Sequence, residues 1–173
     1  MVYFKLDVVE QADGSIFPMT ETAPACNILP LVLDEDGMVT HLYMLTQKGR
    51  PEMGEDAVAL KSVGSFCKAE ENTRACAMRS LREKFAMEVN DADLIFTGQS
   101  YGFGPQFKFP IDLYVTKVFQ ELDTPLMEGC ERIRMTLEEV ALAHRDRKFF
   151  NSETVDLIAT VLMRNAHPEK FGW

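Results

Sequence analysis

Apolar positions along the chain fall into short strand-like stretches, one helical stretch, more strands, and two closing helical stretches. VYFKLDVV and SIFPMT flank EQADG, whose Asp-Gly pair predicts a hairpin turn. ACNILPLVLD and MVTHLYMLTQ flank a second Asp-Gly turn, and the near-continuous apolar first strand suits a buried position in a sheet. KGRPEMGED is rich in Gly, Pro and charge and reads as a loop. AVALKSV predicts a short strand running into Gly64. Over residues 72–85 the spacing turns helical, with Ala77, Met78, Leu81 and Phe85 three and four apart. DLIFTGQS and FPIDLYVTKVFQ predict two strands joined by the loop YGFGPQFK. IRM reads as a strand end after the loop containing DTPLMEGCE. TLEEVALAHRD opens with a Thr136-x-x-Glu139 capping box, and SETVDLIATVLMRNA has Ser152 in the N-cap position. Together these elements predict an α+β domain, an α/β/α sandwich in which a mixed sheet is flanked by helices.

Composition narrows the function without naming it. The 173 residues suit one domain over 1–173, with 1–22 as an N-terminal strand and hairpin region and 23–173 as the core. A net charge of −9 argues against a general nucleic-acid partner, which would reward clustered Lys and Arg. No apolar run reaches the length of a membrane span, and the N-terminus carries no basic start followed by an apolar stretch. The expected setting is cytoplasmic. Cys26, Cys67, Cys76 and Cys130 form no Cys-x-x-Cys pair and are expected as reduced thiols serving as small apolar fillers. His41, His144 and His167 are scattered, with no metal-ligand spacing.

The stretch GSFCKAEENTRACAMRSLREKFAMEV, residues 64–89, resembles the Nudix box, G-x5-E-x7-R-E-U-x-E-E-x-G-U with U apolar. With Arg79 on the motif arginine, Glu71 falls on its first glutamate, Leu81 on the apolar position and Glu83 on the first of the paired glutamates. Ala86-Met87 cover the closing Gly-U. LDVVEQADGS, the central hairpin with its QKGRP loop, SYGFGPQFKFPIDLYV and the closing strand and helices are similar to ADP-ribose pyrophosphatases over most of the chain. The resemblance implies a Nudix fold with an N-terminal β-hairpin, a small nucleotide derivative as ligand, and a homodimer whose N-terminal strands reach across to the partner.

The departures lie in the metal site. Family hydrolases hold Mg²⁺ with glutamates on one face of the box helix, where positions i, i+3 and i+4 converge. Those positions here are Ser80, Glu83 and Lys84, and Leu60 stands where the subgroup carries a further acid in a Glu-x-Pro-Ala-Gly stretch. The resemblance makes Glu71 and Arg79 a structural pair, and Glu83 the retained metal and catalytic candidate. Glu131, and behind it Glu128, are candidates for a catalytic carboxylate. Arg50, Lys84, Phe103 and Phe107 are the substrate-binding candidates. Three functions stay open: a Mg²⁺-dependent pyrophosphohydrolase using Glu71, Glu83 and Glu131, a non-hydrolysing binder of a nucleotide derivative, and a structural or regulatory dimer module. The ligand count favours impaired or absent hydrolysis, so Mg²⁺ is expected only if the chain hydrolyses.

Overall fold

The structure is a computed structural model describing residues 4–10, 16–48, 58–101, 107–108, 110–118, 120–121, 126, 130–149 and 151–171. Strands β1 (Phe4–Glu10) and β2 (Ile16–Thr22) form the first expected hairpin, antiparallel from Phe4–Thr22 to Glu10–Ile16. The short β9 (Phe107–Lys108) runs parallel to β2 and completes a three-stranded sheet.

The main sheet is built on β3 (Ala25–Leu33) and β4 (Val39–Lys48), joined by a turn in which the Asp34 side chain accepts from the Asp36 and Met38 amides. Gly37 supplies the positive φ, +78°, that this turn needs. At the turn end β3 pairs with β4, whereas at the open end β5 (Val58–Lys61) pairs with β4 and β6 (Val63–Phe66) with β3. Two further strands extend β3's other side: β10 (Pro110–Lys117) runs parallel to it, and β8 (Leu94–Tyr101) antiparallel to β10. On β4's other side lies β12 (Arg132–Thr136), antiparallel to it.

Alternation along the strands sends side chains to two cores. On one face Leu29, Leu31, Leu42, Met44 and Val115 meet Val140 and Ala143 of α2 (Leu137–Arg145) and Leu157, Ile158 and Val161 of α3 (Ser152–Ala166). On the other, Cys26, Ile28, Leu45 and Val63 meet Cys76 and Ala77 of α1 (Thr73–Ser80) together with Leu81 and Phe85. This is the expected layered sandwich. No described helix is long and apolar enough to cross a membrane.

Several boundaries differ from those the sequence predicts. AVALKSV is two strands, because Ser62 turns inward between β5 and β6. There the buried Ser62 hydrogen-bonds both Asn27 and Thr154, its Oγ donating to Asn27 Oδ1 at 2.5 Å and lying 2.8 Å from Thr154 Oγ1. FPIDLYVTKVFQ ends as a strand at Lys117, and β11 (Gln120–Glu121) pairs separately with β7 (Met87–Glu88). The cap of α3 is Asn151 rather than Ser152. The Asn151 side chain accepts from the Thr154 amide, leaving Ser152 as the first helical residue. By contrast, the Thr136–Glu139 capping box forms as expected. A one-turn α4 (Pro168–Phe171), not expected from the sequence, follows α3.

Candidate functional site

The box helix begins where the Asn72 side chain accepts from the Ala75 amide, and runs as α1 to Ser80. It then widens into a π-turn over Leu81–Phe85. The wider turn keeps Leu81 and Phe85 fully buried while Arg82 and Glu83 face outward and Lys84 lies half-buried. Such turns occur often at functional sites. Ala86 closes the helix in the left-handed region, φ +50° and ψ +49°, and its amide donates to the Leu81 carbonyl. A glycine would be unstrained there, as the motif's glycine at this position would be. Arg132 secures this end by donating to the Phe85 and Ala86 carbonyls at 2.7 and 3.0 Å.

Glu71 and Arg79 join the loop to the helix. The Arg79 Nε and Nη2 donate to Glu71 Oε1 and Oε2, both at 2.9 Å, in a fork that matches guanidinium to carboxylate. The Lys68 amide donates to the same carboxylate at 2.8 Å. Arg79 holds the Glu71 carboxyl down to about 2, against the opposing effect of burial, and the carboxylate in turn raises the Arg79 pKa. The guanidinium also reaches the Phe66 carbonyl at 3.2 Å and Glu83 Oε2 at 3.0 Å.

The three positions that the resemblance aligns with Nudix metal ligands have different fates here. Ser80 is fully buried, and its hydroxyl donates to the Cys76 carbonyl of its own helix at 2.7 Å. The Glu83 carboxylate lies 3.0 Å from Arg79 and 3.7 Å from Lys68 Nζ, so its charge is already met by two cations. Lys84 Nζ donates to the Gly64 carbonyl at 2.7 Å. Burial, and then the neighbouring Lys61 and Arg79, lower the Lys84 pKa. Lys61, Gly64, Lys84, Leu45, Val63 and Cys130 line a small cavity of about 40 Å³. Among the described residues no three carboxylates converge: the one group of three close ligand atoms contains two thiols, Cys67 and Cys76, beside Glu71. These side chains do not fit an octahedral, all-oxygen divalent cation. An ammonium stands against a carbonyl there instead.

The remaining candidates are dispersed. Glu131 is exposed at the start of β12, its amide donating to Thr46 Oγ1 at 3.0 Å, and it is the adjacent Cys130 that borders the Lys84 cavity. Leu60 is buried in the core beneath α2 and α3. Arg50, Phe103 and Glu128 lie outside the described residues, and of Phe107 only the backbone pairing in β9 is described. A larger cavity, about 1,100 Å³, is lined by Thr46, Val58, Leu60, Ile133 and the basic end of α2. Thr46 and Leu60 alternate with Leu45 and Lys61 of the Lys84 cavity, so the two cavities lie on opposite faces of the sheet.

Two features of the site were not foreseen from the sequence. The contact of Lys84 with a backbone carbonyl leaves no trace in residue types. The meeting of Cys26, Cys67 and Cys76 needed the pairing of β6 with β3, which sets Ser65 opposite Cys26.

The sequence matches no family model and no curated protein. Among solved structures, one described as the crystal structure of ADP compounds hydrolase superposes with a TM-score of 0.65. The match covers 98% of this chain and 89% of that chain at 18% identity. The fold is Nudix-like. At that identity the likeness carries the layered sheet and its helices, and the chemistry must be argued from this chain's side chains.

Proposed function

We propose that the protein binds a small nucleotide derivative on its Nudix-like fold, with metal-dependent hydrolysis impaired or absent. The observation that carries this proposal is Lys84, whose ammonium sits 2.7 Å from the Gly64 carbonyl at a family metal-ligand position. A lysine is a compact point charge with three donors. It can satisfy a carbonyl and still meet a diphosphate oxygen without recruiting a cation. The ion pairing of Glu83 supports the same conclusion, since a carboxylate between Arg79 and Lys68 attracts a divalent cation weakly. The solved structure named for hydrolysis of ADP compounds supports the ligand class. Arg50, Phe103 and Phe107 are proposed ligand contacts by position in the family pattern.

The test is a screen of ADP-ribose and other nucleoside diphosphate derivatives. Each is scored for hydrolysis with Mg²⁺ or Mn²⁺ and for thermal stabilisation in chelator. Stabilisation in chelator without turnover is expected; turnover that requires Mg²⁺ would assign the hydrolase function instead.

We also propose that the chain is a homodimer through its N-terminal ribbon. A two-stranded ribbon is marginal alone in water, and β1–β2 gains only the two-residue β9 as a further strand among the described residues. Light scattering at micromolar concentration is expected to return twice the chain mass, and a monomer mass removes the proposal.

A further inference from the structure

Outside the Lys84 cleft, on the core side of the box helix, three thiols from three elements meet beside a carboxylate. Cys26 comes from β3, Cys67 from the loop after β6 and Cys76 from the first turn of α1, and all three are buried. The Cys67 and Cys76 sulfurs and a Glu71 carboxylate oxygen all lie within 4.8 Å of one another. Cys26 adjoins this group in the same buried cluster as Cys67 and Cys76. The Arg79 Nη2 donates to Cys76 Sγ at 3.4 Å, and the thiol itself points at the Ser65 carbonyl 3.7 Å away.

Buried cysteines often act only as small apolar fillers. A filler, however, does not require a carboxylate oxygen within 4.8 Å of two sulfurs, nor a guanidinium hydrogen bond to one of them. We infer that Cys67, Cys76 and Glu71 form a binding site for a thiophilic divalent cation of the zinc type, with the fourth position left open. Tetrahedral zinc has Zn–S near 2.3 Å and Zn–O near 2.0–2.2 Å, which sets ligand atoms about 3.3–3.8 Å apart. From separations within 4.8 Å, the cluster needs to close by at most about 1.0–1.5 Å to reach that. Two thiolates and one carboxylate balance the ion together with Arg79, so the enclosed site carries no net charge while Cys26 stays protonated. The Arg79 hydrogen bond to Cys76 is the kind of outer contact that orients a metal-bound thiolate. Soft sulfur ligands select against Mg²⁺, so this site is distinct from the oxygen-ligand site of the family's hydrolases.

The inference stands whether or not the Lys84 cleft hydrolyses anything. It is tested on the full chain, reduced, stripped with chelator and titrated with Zn²⁺ or Co²⁺ alone. One ion per chain is expected, with Zn²⁺ raising the melting temperature. The Co²⁺ form should show thiolate-to-metal charge transfer and tetrahedral ligand-field bands. Cys67→Ser is the variant of choice, because Cys67 is the most exposed of the three at 4%. It should weaken Zn²⁺ binding by more than the roughly 100-fold that an outer-contact change can cost, while Cys130→Ser binds as the parent does. A parent protein that takes up no ion at micromolar concentration overturns the site. So does a Co²⁺ spectrum without thiolate bands, a purified chain holding a Cys67–Cys76 disulfide, or a folded Cys67→Ser variant with unchanged affinity. The parent's Co²⁺ spectrum decides the matter even if the variant does not fold.

Discussion

Replacing Glu71 by Gln tests whether the loop–helix pair holds the box together. The Glu71 carboxyl is held at about 2 against an ordinary 4.5, chiefly by Arg79. That difference of about 2.5 pK units corresponds to at most about 3.4 kcal/mol at about 1.36 kcal/mol per unit. The two side chains retain 14% and 19% exposure, so solvent screens part of this. A loss of about 1.5–2.5 kcal/mol is expected for Glu71→Gln at neutral pH. Arg79→Met should cost more, since it strands Glu71, releases Glu83 and removes the Arg79 hydrogen bond to the Phe66 carbonyl. The sign of the pH dependence follows from the depressed pKa. The carboxylate's contribution is complete above its unfolded value near 4.5, and it is lost as pH falls from there through about 2. Urea denaturation of parent and Glu71→Gln is therefore expected to show a gap at pH 7 that narrows steadily below pH 4.5. A gap under about 0.5 kcal/mol at pH 7, or one that stays constant down to pH 3, would refute the pair as an anchor.

Lys84→Glu replaces the ammonium at the Gly64 carbonyl with a carboxylate beside Glu83; calorimetry is expected to show Mn²⁺ affinity gained at least tenfold, about 1.4 kcal/mol. Asn151→Ala removes the cap of α3 and should cost about 1 kcal/mol in denaturant, whereas Ser152→Ala stays within about 0.5 kcal/mol. Ser62→Ala takes a partner from Asn27 inside the core and should cost about 1–3 kcal/mol, with unchanged denaturant slope.

Local pattern alone carried much of this protein. The hairpin at Asp34–Gly37, the near-continuous apolar β3, the box helix from its Asn72 end and the Thr136–Glu139 cap are set by near neighbours in the chain, through turn chemistry, side-chain periodicity and capping. The pairing of Glu71 with Arg79 was implied by the resemblance to the Nudix box, and the structure joins the two across the loop–helix junction. Tertiary structure decided the rest. Whether Ser80 faces the cleft or its own helix depends on how α1 seats on β3 and β6, and the π-turn after it sets Lys84 over the Gly64 carbonyl. The split of AVALKSV at Ser62 follows from partners 35 and 92 residues away in sequence. Cys26 and Cys76 are separated by fifty positions and an entire hairpin, so only the pairing of β3 with β6 brings them into one buried cluster. Periodicity reports which face a residue shares with its near neighbours; it carries no information on which distant strand will lie beside it, and the chemistry of this molecule sits at those distant junctions.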